Sequence, residues 1–317
     1  MVKPYDTIII GGGPAGLSAA KQLGFWGRDV LVIDRGVSPL NYYGNPIYNY
    51  PGINRALSGK ALLRQFQGEA RALGAQIVLG EVTQLSGEFP HFEVIVQNSI
   101  GLREAVRYQG RTLLLATGVA IMHPKVNQNW QAWLPFASRP GVCYYCVDCE
   151  APLVSGKSVL LLSVGSINQV IDYARLLQRF TNNIQILVLK DGAIPFSAEP
   201  QSRLDATQFE YAVGTIKTVT IVAPGIKQII TTHEQRQFTS NCFFVSTIRV
   251  PRSNLVRPLG VAMNQHGAIL TDEQGQTNIA GIWAAGDVRP LAKQIAVAVG
   301  SGNYAALMIN RTLSNLD

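Results

Sequence analysis

The feature that most constrains this chain is a run of glycines between an apolar stretch and a small-residue helix: Gly11-Gly12-Gly13-Pro14-Ala15-Gly16. Thr7-Ile8-Ile9-Ile10 stops at the glycines, and residues 15–24 follow with helical spacing. The pattern fits G-x-G-x-x-G. Its first glycine permits a tight turn, and its second lets the backbone reach a pyrophosphate. Its third lets helix and strand pack closely, with the helix N-terminus facing the phosphates. The next strand, residues 29–34, ends in Asp34, about 20 residues on, where a carboxylate reaches ribose hydroxyls. Strand, turn, helix and acid in register predict a dinucleotide-binding βαβ unit. Gly11, Gly13, Pro14, Ala15, Gly16, Asp34 and the neighbouring Arg35 become the first candidate cofactor residues. FAD and NAD share this fingerprint, so the loop alone names neither.

The rest of the chain continues the alternation of strand and helix, which predicts an α/β fold with a parallel sheet. Residues 59–73 carry an amphipathic helical spacing through Leu62, Leu63, Phe66 and Ala70, ending at Gly74. Residues 112–115 form a buried strand that breaks at Ala116-Thr117-Gly118. A second strand–turn–helix unit starts at Ser158, with a helix over residues 167–180 and a strand at 185–189. The last unit runs through Ile282 to Gly286-Asp287 and closes in a helix from Ala292 to the end. With 317 residues, the chain has length for two domains of about 150 residues. The two glycine openings, at Gly11 and Gly165, place a second dinucleotide-type domain at 119–244, inserted into a first made of 1–118 and 245–317.

Composition narrows the function classes. A hydrophobic fraction of 47% with 15% charged residues excludes a disordered chain. No run approaches ~18 apolar residues, and the N-terminus does not end as a secretory signal does. The expected location is therefore cytoplasmic, with association at an anionic membrane surface left open. The formal net charge of +7 reads either as an ordinary basic surface or as a field for an acidic partner, such as a small electron-transfer protein. No dense Lys/Arg block or nucleic-acid motif is present, so nucleic acid is not an expected partner.

Three of the four cysteines crowd into Cys143-Tyr144-Tyr145-Cys146-Val147-Asp148-Cys149-Glu150. This segment offers two overlapping C-x-x-C pairs. Such a spacer allows a tight disulfide that opens and recloses without large backbone motion. Zinc needs four ligands, and Cys242 and the four histidines stand at no finger spacing, so no metal is expected. Glu150 is a candidate acid/base for the leaving thiolate, or else a solvated surface carboxylate.

Together these residues resemble the low-molecular-weight thioredoxin reductase family over nearly the whole chain. The similar pieces are Gly11 to Gly16, Asn49-Tyr50-Pro51-Gly52, Ala116-Thr117-Gly118, the cysteine pair, and Gly286-Asp287-Val288-Arg289 through Lys293-Gln294 to Ala306. The resemblance implies an FAD domain interrupted by a smaller NADPH-type domain carrying the redox pair, in a homodimer. It adds Asn49, Ala116, Thr117, Gly118, Gly286, Asp287, Lys293, Gln294 and Ile295 to the cofactor residues. It puts the active pair on Cys146 and Cys149, with Cys149 facing the flavin and Cys146 exchanging with substrate. Glu150 then stands where the family has Asp.

The departures from the family narrow the reading further. Its central G-x-G-x-x-A becomes Ser163-Val164-Gly165-Ser166-Ile167-Asn168, and its arginine-rich 2′-phosphate clamp becomes Val188-Leu189-Lys190-Asp191-Gly192. Ser and Asn at the turn and packing positions oppose close pyrophosphate approach, so NADPH is not the expected donor. Two branches of the family lack those motifs. The ferredoxin-dependent flavin-thioredoxin reductases carry an aromatic C-terminal tail, which Leu313-Ser314-Asn315-Leu316-Asp317 does not supply. The diflavin-linked disulfide oxidoreductases of oxygenic photosynthetic bacteria, the cyanobacteria, hold two FAD per subunit. Tyr42, Tyr43, Tyr48, Tyr50, Tyr144 and Tyr145 would suit a site that stacks large rings. The expectation is an FAD enzyme of this second kind, oxidising a protein or small-molecule dithiol. Its rivals are a ferredoxin-driven reductase and a non-catalytic flavin redox sensor.

Overall fold

The computed structural model describes residues 3–53, 57–97, 105–193, 198–224 and 227–317. The opening strand, Tyr5–Ile10, is a β-branched run whose three isoleucines are buried on both faces, as a central parallel strand requires. It lies between Val30–Asp34 and Val106–Leu115, with Gln76–Leu79 outside the former and Ile282–Ala284 beside the latter, all parallel. The hairpin of Glu81–Glu88 and His91–Gln97 extends the sheet antiparallel from the first half of Val106–Leu115. This arrangement sends neighbouring connections to opposite sides of the opening strand, and ligands in such sheets sit at the carboxyl ends where the order reverses.

A second parallel sheet, in the order Cys143–Tyr144, Cys242–Ser246, Val159–Ser163, Ile184–Leu189, Glu210–Gly214, is built wholly from the middle of the chain. An antiparallel meander, Ile216–Ala223, Lys227–Thr232 and Gln237–Ser240, precedes its Cys242–Ser246 strand. The chain passes between the two sheets through one antiparallel ribbon, Val119–Ile121 against Arg249–Pro251. Each sheet has apolar clusters on both faces. The fold is thus the α/β architecture with two dinucleotide-type sheets that the glycine turns predict.

Two local expectations shift. The C-terminal helix is Ile295–Ser314 and starts after Ala292, because the Lys293 ammonium donates to the carbonyls of Asp287 (2.7 Å) and Arg289 (2.6 Å) and holds that stretch as a loop. The cysteine segment, whose residues 139–152 carry neither helical nor strand periodicity in the sequence, contains the short strand Cys143–Tyr144 and one helical turn, Val147–Glu150.

The first helix, Pro14–Phe25, packs along the C-terminal helix at a distance that excludes even a methyl group. A Cβ on Gly302 would lie 2.0 Å from the Ala15 carbonyl oxygen, and one on Gly16 would lie 2.0 Å from that of Gly11. The Ser18 hydroxyl donates to the Val299 carbonyl (2.9 Å) and the Asn303 amide to Gln22 (3.0 Å), locking the pair. Backbone cannot move aside as a side chain does. Gly302→Ala should therefore lower unfolding free energy by about 1–3 kcal/mol, as overpacking does. Denaturant unfolding at fixed pH measures this, and an unchanged midpoint would mean that the helices are free to separate.

Candidate active site

A cleft of about 720 Å³ opens at the carboxyl ends of Tyr5–Ile10, Val30–Asp34 and Val106–Leu115, a size usual for small-molecule sites. Gly11 has φ +112°, and a Cβ there would stand 2.2 Å from the Ala116 carbonyl oxygen. Only glycine makes this turn. A Cβ on Gly13, by contrast, would meet nothing within 4 Å, because it projects into the cleft. The N-terminus of the Pro14–Phe25 helix opens on the same space, and Pro at its first position needs no hydrogen-bond acceptor.

Most of the expected cofactor residues come together here. Gly11, Gly13, Pro14, Ala15, Asp34, Arg35, Ala116, Thr117, Gly118, Gly286, Asp287, Lys293, Gln294 and Ile295 all line the cleft. Asp34 is buried, and Arg35 is exposed and pairs with Glu81 at 3.1 Å. The Thr117 hydroxyl donates to the Arg252 carbonyl at 2.7 Å, tying the strand-end turn across to the ribbon. Burial raises the Asp287 carboxyl pKa and lowers that of the Lys293 ammonium, each opposed by the other's charge. Two residues stand outside the lining. Gly16 lies beneath the helix, where it permits the close packing, and Asn49 reaches the cleft through Gln294, donating to its Oε1 at 3.0 Å. The open cradle at Gly13, the helix N-terminus and the acid at Asp34 fit the pyrophosphate and ribose of FAD.

Cys146 and Cys149 form a disulfide, with 5.2 Å between their Cα atoms. Both are half-buried, whereas Cys143 and Cys242 are free thiols fully buried in the central sheet. Cys143 sits on the Cys143–Tyr144 strand in the cluster with Trp133 and Phe243, and burial pushes its thiol pKa well up. Cys242 is pushed up to about 12, also by burial. Neither resembles a reactive thiolate. The overlapping reading of the motif, Cys143 with Cys146, is thereby set aside. Among the described residues, no three His, Cys, Asp or Glu side chains cluster to hold a metal.

Glu150 lies beneath the disulfide and is buried rather than solvated. Its carboxylate accepts from the Tyr43 hydroxyl (2.6 Å), the Asn45 amide (3.0 Å) and the backbone N–H groups of Tyr145 (3.0 Å) and Cys146 (3.1 Å). Burial raises its pKa, and these four donors pull it back. Glu150 thus clamps the turn that carries the cysteines. Asn45 completes the clamp, since its amide also donates to the Cys143 carbonyl at 2.7 Å and its oxygen accepts from Gly141 N–H at 2.8 Å. Sequence reading missed Asn45 and the role of Tyr43, because their partners lie about a hundred positions away and leave no local pattern.

The tyrosines divide. Tyr43, Tyr144 and Tyr145 are engaged internally rather than free to stack a ligand. Tyr43 holds Glu150, Tyr144 stacks on Phe244, and the Tyr145 hydroxyl meets Trp133 Nε1 (2.8 Å) and His123 Nδ1 (2.7 Å). Burial lowers the His123 pKa to about 4. Tyr48 is exposed, and Tyr42 and Tyr50 are half-buried with their rings edge-on to His123 and Phe66.

The second glycine turn differs from the first in what fills it. Ser166 caps the following helix by accepting from Gln169 N–H at 3.2 Å. The Gln169 side chain lies across the turn, with its Oε1 2.8 Å from where a Gly165 Cβ would be and its Nε2 donating to the Thr247 carbonyl at 3.1 Å. Ala193 N–H donates to the Val164 carbonyl (2.8 Å), closing the loop after Ile184–Leu189 over the turn, and Arg203 donates to Asn168 (2.6 Å).

Two dinucleotide-type sheets with a half-buried C-x-x-C disulfide beside the cleft of the first define a flavin-dependent disulfide oxidoreductase. The chain belongs to the pyridine nucleotide-disulphide oxidoreductase family, whose pattern matches residues 5–302. Among its relatives, the thioredoxin reductase of Bacillus subtilis is 27% identical, over 99% of this chain and 96% of that protein. The thioredoxin reductase of Listeria monocytogenes is 29% identical, over 96% and 92%. The crystal structure of thioredoxin reductase from Streptococcus pyogenes superposes with a TM-score of 0.79 at 22% identity, covering 98% of each chain.

Two outcomes test this geometry. Gly13→Val places a branched side chain in open space where a pyrophosphate would lie, so the protein should fold but purify without flavin; full yellow colour would refute the cradle. Glu150 provides the second. Its folded pKa is raised above the unfolded value near 4.5, so its contribution to stability is complete below that pH and is lost as pH rises through the folded pKa. Glu150→Gln removes this titration. Its unfolding free energy relative to the native chain should therefore improve as pH climbs through that window, as read by denaturant unfolding at several pH values. A pH-independent difference would contradict the assignment.

Proposed function

We propose that the protein oxidises dithiols through the Cys146–Cys149 disulfide and passes the electrons to FAD in the Gly11 cleft, without using NADPH. The observation that carries this reading is that Gln294, in the lining of the cofactor cleft, also contacts both sulfurs of the disulfide, at 3.3 Å and 3.6 Å. The filled turn at Gly165 supports the exclusion of NADPH. In this reading the FAD unit is 1–118 with 245–317, and the unit bearing the disulfide is 119–244.

A substrate thiolate attacks Cys146 Sγ, forming a mixed disulfide and leaving the electron pair on Cys149 Sγ. The second substrate thiol, on losing its proton, displaces Cys146 and departs as the disulfide, so both cysteines end reduced. FAD supplies a two-electron acceptor for that dithiol. The Glu150 clamp fixes the Tyr145 and Cys146 amides through the exchange, keeping the turn in one conformation while its sulfurs separate. Lys293 shapes the cleft wall through its bonds to the Asp287 and Arg289 carbonyls. The net charge of +7 supports an acidic electron-transfer partner beyond the flavin, and ferredoxin would fill that place in the rival reading, where electrons run toward the disulfide. A second FAD per subunit and a homodimer belong to the same reading; the exposed Tyr48 and the half-buried Tyr42 and Tyr50 support the former, and flavin-to-protein stoichiometry with light scattering checks both.

Anaerobic mixing of the yellow holoprotein with dithiothreitol should bleach the flavin, whereas micromolar NADPH should not. Cys146→Ser and Cys149→Ser should each lose dithiol-driven bleaching, and in Cys149→Ser the Cys146 thiolate should attack the oxidised, disulfide form of a substrate, release one substrate thiolate and stay trapped as a mixed disulfide. Cys143→Ser should retain most of the rate. Rapid bleaching by NADPH, or a loss at Cys143 with none at Cys149, would overturn the proposal.

A further inference from the structure

Gln294 is the backbone N-cap of the 20-residue helix Ile295–Ser314, yet its side chain makes no capping bond. Ser, Thr, Asp and Asn are the residues that cap well, so capping does not account for a glutamine here. Its amide turns away from the helix to the disulfide, with Nε2 3.3 Å from Cys149 Sγ and 3.6 Å from Cys146 Sγ, and Oε1 3.5 Å from Cys149 Sγ. Which end of the amide faces sulfur is set from outside the helix, because Asn49 Nδ2 donates to Gln294 Oε1 at 3.0 Å. The amide oxygen is held by Asn49, so the N–H groups are presented to the sulfurs.

We propose that Gln294, oriented by Asn49, is a positioning residue that stabilises the Cys149 thiolate when the disulfide opens. This rests on the exchange proposed above. A disulfide sulfur is a weak acceptor and a thiolate a strong one, so the same N–H contributes far more after the bond has broken. When a substrate thiolate attacks Cys146 Sγ, the S–S electron pair goes to Cys149 Sγ, the sulfur nearer the amide. A donor there lowers the thiol pKa of Cys149, makes it the better leaving group, and fixes Cys146 as the sulfur attacked. The charged and titratable groups of the surrounding elements are Asp148 and Glu150 on the cysteines' own turn, Tyr43 beneath it, Asp287 and Lys293 ahead of Gln294, and Arg249, whose charge acts on both of the latter. The substitutions below leave all of them in place.

The test uses the flavin-loaded chain carrying Cys146→Ser. Cys149 is then the accessible thiol, since Cys143 and Cys242 are buried. Its alkylation by iodoacetamide is followed against pH. Adding Gln294→Leu should move the midpoint upward and slow alkylation below it about tenfold, the effect of losing a hydrogen bond to a charged acceptor. Asn49→Leu, which frees the amide to rotate, should shift the midpoint in the same direction by less. Gln294→Met, of similar length and without a donor, repeats the test if the leucine variant loses flavin. A profile unmoved by Gln294→Leu or Gln294→Met overturns the proposal, and one unmoved by Asn49→Leu overturns the part given to Asn49. Dithiol-driven bleaching of the native chain, measured in parallel, separates failure of the exchange from failure of this assignment. The alkylation profile reads the Cys149 thiol whether or not a dithiol is the substrate.

Discussion

The structure depends on how closely the Pro14–Phe25 helix approaches the backbone on two sides. At Gly16 it rests on the turn before it, and at Ala15 it receives Gly302 of the C-terminal helix, with room at neither contact for a Cβ. That packing aims the helix N-terminus into the cleft. It also brings the start of the C-terminal helix, with Lys293, Gln294 and Ile295, to the opposite wall. A looser contact would widen the cleft and withdraw Gln294 from the disulfide together. Cofactor cradle and sulfur chemistry therefore share one mechanical origin, though the residues involved lie nearly three hundred positions apart.

The disulfide is held from two directions by different chemistry. From below, Glu150, Tyr43 and Asn45 form a polar cluster in which both carboxyl oxygens have partners, as buried polar atoms require. From the cleft side, Gln294 offers a neutral donor. Tyr145, next to Cys146, is fixed by Trp133 and His123 at its hydroxyl and by Arg249 at its carbonyl (3.1 Å). Because Arg249 begins a strand of the ribbon joining the two sheets, the cysteine turn is anchored to the crossing point of the chain. A turn held this firmly lets the S–S bond open while its flanking backbone stays in place.

What the sequence discloses follows the range of the interactions. The Gly11 turn, Asp34 and the alternation of strand and helix are local and periodic, so the fold and the glycine-turn side of the cleft are readable from residue order, whereas residues such as Leu40, Val82 and Arg252 reach the cleft only through the fold. The C-x-x-C motif is local too, but its two overlapping registers are equivalent in sequence. The family resemblance chooses Cys146 and Cys149, and the burial of Cys143 on a sheet strand agrees with it. Glu150 shows the limit clearly. Beside a cysteine it reads equally as a surface acid or a proton donor, and its burial is created by Tyr43 and Asn45 from a distant segment. The tyrosines mislead for the same reason, because a tyrosine that stacks a ligand and one that closes a buried hydrogen bond look alike until their neighbours are known.

The central claim is that the Cys146–Cys149 disulfide and the flavin of the Gly11 cleft share electrons. An anaerobic reductive titration with dithionite, followed by flavin absorbance, tests it most directly. A disulfide takes up two electrons, so the native chain should consume two more than Cys149→Ser before its colour is lost, with the extra electrons entering throughout the titration. Identical titrations of the two proteins would contradict the account.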